Sequence, residues 1–319
     1  TGLLAYQIIG GRQARSWSIP AGGSGKLIDA LVGYLTDHGA TIDCNRVVSE
    51  LILEDGRCVG IRTESGDEYR ARHAVVSTIH VKHLVDMAPA EAWGEGFTYG
   101  VDTYHVGVPF FAAYFATTEA PAFTTHDGSR SSVSAGVAGW IDDQVRNARM
   151  VSDGHFTETE PFLLVATPTL ADPGRSPEGT HTVKMVTFNA YDPGGGPERW
   201  DEIKEAHVDR QLEYLRRFAP NLTDDKILSR LVKSPLDIER NNRHMVHGAP
   251  HGGDRGITFT GAHRPAPGWA QHRMPIEGLY QTGGTTHPGG SITGAPGRNA
   301  AIVLLEDLGR DPSEIMEMV

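Results

Sequence analysis

The spacing of apolar residues predicts three helices in this chain. The first covers residues 24–38, with Ser24 as N-cap and Gly39 as terminator. Its apolar face consists of Leu27, Leu31, Tyr34 and Leu35. A second amphipathic helix covers 200–218, where acidic residues lead and arginines end the pattern. The third, at 297–308, is apolar and follows a glycine-rich stretch.

Between the helices, shorter apolar runs predict strands. Residues 40–77 read as a strand at 40–44 and a meander after it, with a hairpin turn at Asp55-Gly56. Aromatic and β-branched residues predict three further strands, at 104–116, 162–169 and 182–190. Strands and helices therefore both contribute, and we expect an α/β fold with mixed α+β character.

Composition narrows the classes of function. The 319 residues carry a formal net charge of −11, which argues against a nucleic-acid partner. No apolar run approaches the roughly 18 residues of a membrane span, and no signal peptide is evident, so we expect a cytoplasmic protein. Cys44 and Cys58 lie in strand-like segments and are expected to be buried free thiols.

Two stretches resemble ligand motifs but fail on spacing. "PAGGSGKLIDAL" places Pro20 where a phosphate loop needs its first glycine, and Leu27 where it needs a hydroxyl. "HMVHGAPHGGD", at 244–254, holds three histidines, but glycines and a proline interrupt any helix that would align them. We therefore predict neither a P-loop nor a metal site.

The stretch "GLYQTGGTTHPGGSITGAPGRNAAIVLLEDLG" combines a short strand, a glycine-rich loop and a helix. Such a unit presents free backbone N–H groups and the positive end of a helix dipole to an electron-rich ligand. The alternative is a tight crossover that needs its glycines only for packing. The residues of this stretch leave both interpretations open.

Four stretches together resemble the phytoene desaturase-like flavoproteins, which are related to the amine oxidases. They are "PAGGSGKLIDALVGYLTDHGATIDCNRVVSELILEDGRCVGI", "TPTLADPGRSPEGTHTV", "SPLDIER" with "HRPAPG", and "LYQTGGTTHPGGSITGAPGRNAA". Their order matches across residues 19–309, and the last is the most specific. The resemblance implies a two-domain flavoprotein fold, with FAD-domain parts at 1–87 and 256–319 and a substrate domain at 88–255.

The resemblance also implies FAD as cofactor and assigns candidate residues. The backbone of Val48 would contact the adenine edge, and the glycine loop would contact the flavin. The loop candidates are Gly283, Gly284, Thr285, Gly290, Ser291, Ile292 and Thr293. Related flavoproteins often have an acidic residue near position 284, where this chain has glycine. His287 and Arg264 are the candidates for catalysis.

The family's dinucleotide fingerprint, G-x-G-x-x-G, does not occur in these 319 residues. We therefore expect the chain to be the C-terminal part of an FAD-dependent oxidoreductase that transfers hydride from a small or apolar organic substrate. The alternative is a truncated, non-catalytic binding or interaction module. Absence of the first Rossmann half would expose apolar sheet surface, which predicts self-association or a partner such as the missing N-terminal half.

Overall fold

The computed structural model describes residues 19–155, 160–290 and 292–313. Its contacts divide the chain into two compact units. Unit 1 comprises Asp43–Gly107 and the described part of Asn242–Val319, and unit 2 comprises Val108–Asn241 and the described part of Tyr6–Ile42. Helices and several sheets occur together, which confirms the predicted α/β class. The domain boundaries drawn from the resemblance stay predictions.

The helices and strands have the following bounds. The helices are α1 (Gly25–Asp37), α2 (Val81–Leu84), α3 (Ala90–Trp93), α4 (Glu95–Asp102), α5 (Ile141–Ser152), α6 (Trp200–Arg216), α7 (Pro235–Asn241) and α8 (Ala295–Asp307). The strands are β1 (Val48–Glu54), β2 (Arg57–Thr63), β3 (Glu68–Arg70), β4 (Val75–Ser77), β5 (Phe110–Thr117), β6 (Ala122–Thr125), β7 (Gly128–Ser131), β8 (Ser134–Val137), β9 (Leu163–Ala166), β10 (His181–Phe188), β11 (Ile227–Lys233) and β12 (Leu279–Gln281).

Unit 1 is built from two segments of the chain that are distant in sequence. The predicted meander is present as β1-β2-β3, and its first turn uses positive φ at Asp55 (49°) and Gly56 (82°). Strand β4 then pairs in parallel with β12, with Val75 opposite Leu279. Side chains from both segments share one core, formed by residues such as Leu51, Cys58, Leu84, Trp93, Phe97, Met274, Ile276 and Leu279.

Unit 2 contains a five-stranded antiparallel sheet in the order β11-β5-β10-β9-β8. Alternation along its strands gives the sheet two different faces. One face packs against α6, and their shared core includes Phe111, Phe115, Val183, Met185, Trp200, Val208, Leu212 and Leu215. The other face, here called the open face, carries Phe110, Tyr114, Leu164, Lys184, Phe188 and Leu231, of which all but Phe110 are exposed.

The structure corrects several expectations near the start of the described chain. Residues 40–44 form no strand, and Cys44 is exposed, whereas Cys58 is buried as expected. Ser24 has helical φ and ψ and makes no side-chain cap. Helix α1 forms as predicted, but none of its residues is buried, and its apolar stripe remains in contact with solvent.

The glycine turn before α1 contacts the Val108–Asn241 segment of the same unit. The backbone N–H of Gly22 donates to Asp172 Oδ2 at 2.7 Å. A Cβ at Gly23 would lie 3.4 Å from the guanidinium of Arg175. Both glycines have positive φ, 80° and 107°, which explains the residue type. The resemblance placed this turn in an FAD domain, whereas the contacts group it with the substrate-domain segment.

His207 is a buried neutral histidine on α6 in unit 2. It is 1% exposed, and its Nε2 faces the side-chain amides of Gln211 at 2.7 Å and Asn189 at 3.2 Å. Burial, with a smaller contribution from Arg210, lowers the pKa of His207 to about 3. Protonation therefore favours the unfolded chain, in which an unperturbed histidine titrates near pH 6.5.

We expect this histidine to make unit 2 sensitive to acid. Because its folded pKa is depressed, its contribution to stability is complete above about pH 6.5. Below that pH the contribution falls by about 1.4 kcal/mol per pH unit as pH decreases towards 3. Urea unfolding of His207→Gln between pH 7 and 5 should have a shallower pH slope than the parent. The control is His126→Gln, whose side chain is 96% exposed. Equal slopes for the parent and His207→Gln would contradict the prediction.

No helix in the described part of the chain is long and apolar enough to cross a membrane.

Candidate functional site

The candidate site lies where the parallel strands of unit 1 end. Ligands of open α/β sheets bind at the carboxyl ends of parallel strands. Here Thr282 N–H donates to Ser77 O at 2.8 Å, joining the two strand ends. The buried amide of Gln281 donates to Ile79 O at 2.6 Å and to Thr285 Oγ1 at 3.2 Å. These bonds fix the loop after β4 against the glycine loop after β12.

A cavity of about 580 Å³ adjoins these strand ends. We call it the carboxyl-end cavity; it is lined by Val48, Thr78, His80, His83 and His244, among others. Val48, the predicted adenine contact, is thus placed across the cavity from the end of β4. On its other side Thr78 approaches the glycine loop, because a Cβ at Gly283 would lie 3.6 Å from Thr78 O.

His80 holds a neutral imidazole beside this cavity. Its Nδ1 accepts the N–H of Lys82 at 3.2 Å, so the proton of the neutral ring is on Nε2. Its ring centroid is 5.4 Å from that of His244 and 6.1 Å from that of Tyr104. Burial first, then the neighbouring histidines, lowers the pKa of His80 to about 3. At neutral pH the His80 imidazole is therefore uncharged and offers the cavity a polar ring rather than a positive charge.

Part of the glycine loop is close-packed rather than open. A Cβ at Gly290 would lie 2.5 Å from His251 O, and one at Gly284 would lie 3.0 Å from His244 Nε2. Gly252, on the facing segment, is equally crowded, with a virtual Cβ 2.7 Å from the backbone of Gly284. This crowding supports the packing explanation for these glycines, and a valine at 290 would disturb folding as well as any ligand.

Arg264 fastens the glycine loop to the facing segment. The side chain is 1% exposed, and all five guanidinium N–H groups point at backbone carbonyls. These acceptors are Gly284 O (twice, once at 3.1 Å), Asp254 O at 2.9 Å, His251 O at 2.9 Å and Phe259 O at 3.4 Å. No donor remains for a substrate, so the structure gives this catalytic candidate a positioning role. Burial also lowers the pKa of Arg264.

The second half of the glycine loop is open and ends at the N-terminus of α8. Gly294 has a φ of 69°, and neither Gly294 nor Gly297 has any neighbour within 4 Å of a Cβ position. Thr293 Oγ1 accepts the N–H of Ala295 at 3.2 Å, while Pro296 lacks an N–H. The first turn therefore presents the positive end of the helix dipole at an exposed position.

Helix α8 is held in place at its opposite end. Arg273 donates to both carboxylate oxygens of Asp307, at 2.7 and 2.8 Å, and Tyr280 donates to the same carboxylate at 2.7 Å. These bonds lower the pKa of Asp307. Because Tyr280 belongs to β12, the helix and the strand before the loop form one rigid frame.

The remaining candidates are scattered around the loop. Thr285 is fully buried, and its hydroxyl accepts a hydrogen bond from the side-chain amide of Gln281. Ile292 is 86% exposed, an unusual position for a large apolar side chain. His287 is exposed on the loop surface. Ser291 lies outside the described residues.

Sequence reasoning missed Thr78, His80 and His244. The first two directly follow the apolar run of β4, so the rule on carboxyl strand ends could have found them. His244 falls in the stretch considered for a metal. Among the described residues, no three histidine, cysteine or acidic side chains are placed to hold a metal ion.

Two openings in unit 1 are candidates for the two ends of FAD, and the described residues include no further glycine-rich turn between a strand and a helix for its pyrophosphate. The carboxyl-end cavity and the Val48 backbone would accommodate the adenosine end. The exposed start of α8, beside Gly297 where a Cβ meets nothing, would accommodate the flavin end. A pyrophosphate needs a glycine turn at a helix N-terminus after a strand, and the only such turn described here is the one before α8.

Known proteins resemble this chain over most of its length. The chain is 26% identical to pyridine nucleotide-disulfide oxidoreductase domain-containing protein 2 of Rattus norvegicus, over 96% of this chain and 54% of that protein. It is 25% identical to a lycopene-forming phytoene desaturase of Pseudescherichia vulneris, over 92% of this chain and 58% of the other. The chain thus spans about half the length of the curated relatives it matches.

A solved structure supports the fold. A crystal structure of an oxidoreductase from Methanosarcina mazei superposes with a TM-score of 0.57 at 18% identity, covering 92% of this chain and 55% of the other. The family model for flavin containing amine oxidoreductase matches residues 4–301, nearly the whole chain. The glycine loop, the parallel strand pair and this match lead to one conclusion: the chain belongs to the flavin containing amine oxidoreductase family.

Proposed function

We propose that this chain supplies the adenosine contact, the flavin contact and the substrate sheet of an FAD-dependent oxidoreductase of the dehydrogenase or desaturase type. The observation that carries the proposal is the open start of α8 at Gly294 and Gly297, in the loop that follows the carboxyl end of β12. Bound flavin would accept a hydride from a C–H bond of the substrate.

The residues of this chain would act by orientation and electrostatics. The helix dipole of α8 favours negative charge that develops on the pyrimidine side of a reduced flavin. Arg264 and Gln281 hold the loop that presents this helix. No side chain in the described site is placed as a general acid or base for the reaction, so catalysis rests on positioning.

The family's desaturases suggest an apolar substrate, and the open face of unit 2 supports this. Phe110 and Phe188 form a pair there, with ring centroids 5.3 Å apart, and Phe162 stacks on Phe188 at 6.2 Å. An adjoining cavity of about 590 Å³ is lined mainly by apolar groups. Its volume lies within the range typical of small-molecule sites.

The test separates the two ends of the cofactor. Riboflavin and AMP are each titrated at millimolar concentration into isotope-labelled chain, and backbone amide shifts are followed by NMR. We expect AMP to shift Val48 and Thr78, and riboflavin to shift Gly283 and Gly297. If neither AMP nor riboflavin changes the chemical shifts of these amides, the proposal is refuted.

Gly297→Ala gives the sharper form of the test. Alanine in an exposed helical position stabilises the helix by about 0.5–1 kcal/mol, so the change does not unfold α8. The added methyl enters the space proposed for the flavin. We expect the affinity for riboflavin, measured from the amide shifts, to fall at least tenfold. The affinity for AMP should remain unchanged. Unchanged riboflavin binding would place the flavin elsewhere.

One observation favours the alternative, a non-catalytic binding module. Five apolar residues of α1 are exposed: Leu27, Ile28, Leu31, Val32 and Leu35. Such a stripe indicates a surface that another polypeptide covers. The half-ligand titration decides between the two functions, because a binding module has no reason to retain the riboflavin response at Gly297.

A further inference from the structure

The open face of the unit 2 sheet is not uniformly apolar. At one end, the rings of Phe110, Phe188 and Phe162 cluster beside the 590 Å³ cavity. Four residues before Phe188 on the same strand, Lys184 lies on the same face, opposite Tyr114 in the strand register. Its ammonium lies over the Tyr114 ring, 5.4 Å from the centroid.

A second cavity, of about 400 Å³, surrounds this lysine. Its lining includes Tyr114, Thr182, Lys184, Leu231 and Arg175. Lys184 and Arg175 therefore line one cavity together with apolar and hydroxyl-bearing residues and with Arg230, whose guanidinium is paired with Glu205. The size of this cavity, like that of the apolar cavity, suits part of a small molecule.

These two cations lack acidic partners, unlike their neighbours. In the described part of the chain, no carboxylate lies within 4.0 Å of Lys184 or Arg175. By contrast, Lys226 contacts Glu119 at 2.7 Å, and Arg230 contacts Glu205 at 2.9 Å. In a chain of net charge −11, two unneutralised cations at one cavity form a local site of positive potential.

The distance between the cationic cavity at Lys184 and the aromatic cluster at Phe188 defines the length of a ligand that would reach both. Lys184 and Phe188 lie on the same face of β10, four residues apart, which corresponds to about 13 Å along a strand. We infer that the open face binds an anionic amphiphile, with its acidic head at Lys184 and Arg175 and its apolar body on Phe110, Phe188 and Phe162. The inference rests on the proposed function, for which it names the substrate class.

A membrane surface fits these observations less well than a single ligand. Membrane-binding surfaces surround protruding apolar side chains with basic residues. Here the lysine lies within the face, stacked on an aromatic ring, and the cations line a cavity of ligand size. A carboxylate and a phosphate head share the required chemistry, so the experiment includes both.

The test is calorimetric titration of the full 319-residue chain, without flavin, at ligand concentrations below micelle formation. The probes are dodecanoate, dodecyl phosphate and dodecanol. We expect one or both anions to bind at least tenfold more tightly than dodecanol. The preferred anion identifies the head group. Equal affinity for dodecanol and both anions would overturn the inference.

Three variants locate the two ends of the ligand. Lys184→Met should weaken anion binding at least tenfold and leave dodecanol binding unchanged, while Lys184→Arg should retain most anion affinity. Phe188→Ala should weaken the binding of all three probes by a similar factor. The matched control, Lys26→Met on α1, has a side chain that is 63% exposed and should change nothing. Full anion binding by Lys184→Met would overturn the inference.

Three further outcomes separate this inference from others. Binding to phosphatidylglycerol vesicles without binding of monomeric dodecanoate would overturn it in favour of a membrane surface. Lys184-dependent anion binding in a chain that shows no riboflavin response would retain this site and reject the flavin function. Riboflavin binding without anion selectivity would retain the flavin function and reject the anion site.

Discussion

The purified 319-residue chain should bind FAD several orders of magnitude more weakly than a complete dinucleotide site does. The pyrophosphate carries the charge of the cofactor, and a glycine turn at a helix N-terminus normally neutralises it. No G-x-G-x-x-G occurs in this sequence. Loss of even three charge-assisted hydrogen bonds, each about 1.5–3 kcal/mol, corresponds to roughly a thousandfold loss or more.

The measurement is a flavin absorbance spectrum of the purified chain, followed by calorimetric titration with FAD. The half-ligands provide the control, because AMP and riboflavin do not need the pyrophosphate contact and should bind in the millimolar range. If the chain held FAD stoichiometrically at micromolar affinity, it would contain a pyrophosphate site outside the residues discussed above.

The second large effect is expected at Arg264. Arg264→Met keeps an apolar stem of similar length but removes all five hydrogen bonds to backbone carbonyls. At least three buried acceptors lose a charged donor, and each loss costs about 1–3 kcal/mol. We expect unit 1 to lose about 4 kcal/mol of unfolding free energy. The readout is hydrogen exchange of the β12 amides, which reports opening of this unit.

Arg273→Met is the matched control for this loss. It makes the same substitution in the same unit, but the side chain of Arg273 is 45% exposed and pairs with a single carboxylate. Exposed ion pairs contribute about 1 kcal/mol or less. Arg264→Lys should fall between the two, since lysine retains the charge but has fewer donors. A similar small effect for Arg264→Met and Arg273→Met would refute the positioning role.

Strands with strong local signals were predictable from the sequence. The alternation and the Asp55-Gly56 turn predicted the β1-β2 hairpin, and aromatic and β-branched runs predicted β5, β9 and β10, although β5 begins at Phe110 rather than at residue 104. The two edge strands of the unit 2 sheet, β8 and β11, were not predicted from the sequence. β11 is mostly exposed, and β8 is short and small-residue rich, so neither has the apolar pattern by which strands are recognised.

The site was predictable only where it is local in sequence. The glycine loop and the start of α8 form one continuous stretch and could be named directly. The role of Arg264 could not, because it depends on carbonyls at 251, 254, 259 and 284 that only the fold brings together. The exposure of α1 was also hidden, since an amphipathic pattern predicts a buried face without identifying the partner.

The parallel pair β4 and β12 has a consequence for synthesis of the chain. Val75 and its partner Leu279 are separated by 204 positions, and all of Val108–Asn241 is made between them. At translation rates of about 5–20 residues per second, β4 waits roughly 10–40 s for its neighbour. During that interval the sheet of unit 2 can form completely, so the nascent chain carries a finished unit 2 sheet while the edge of β4 is still unpaired. This edge is where we expect chaperones to act during translation.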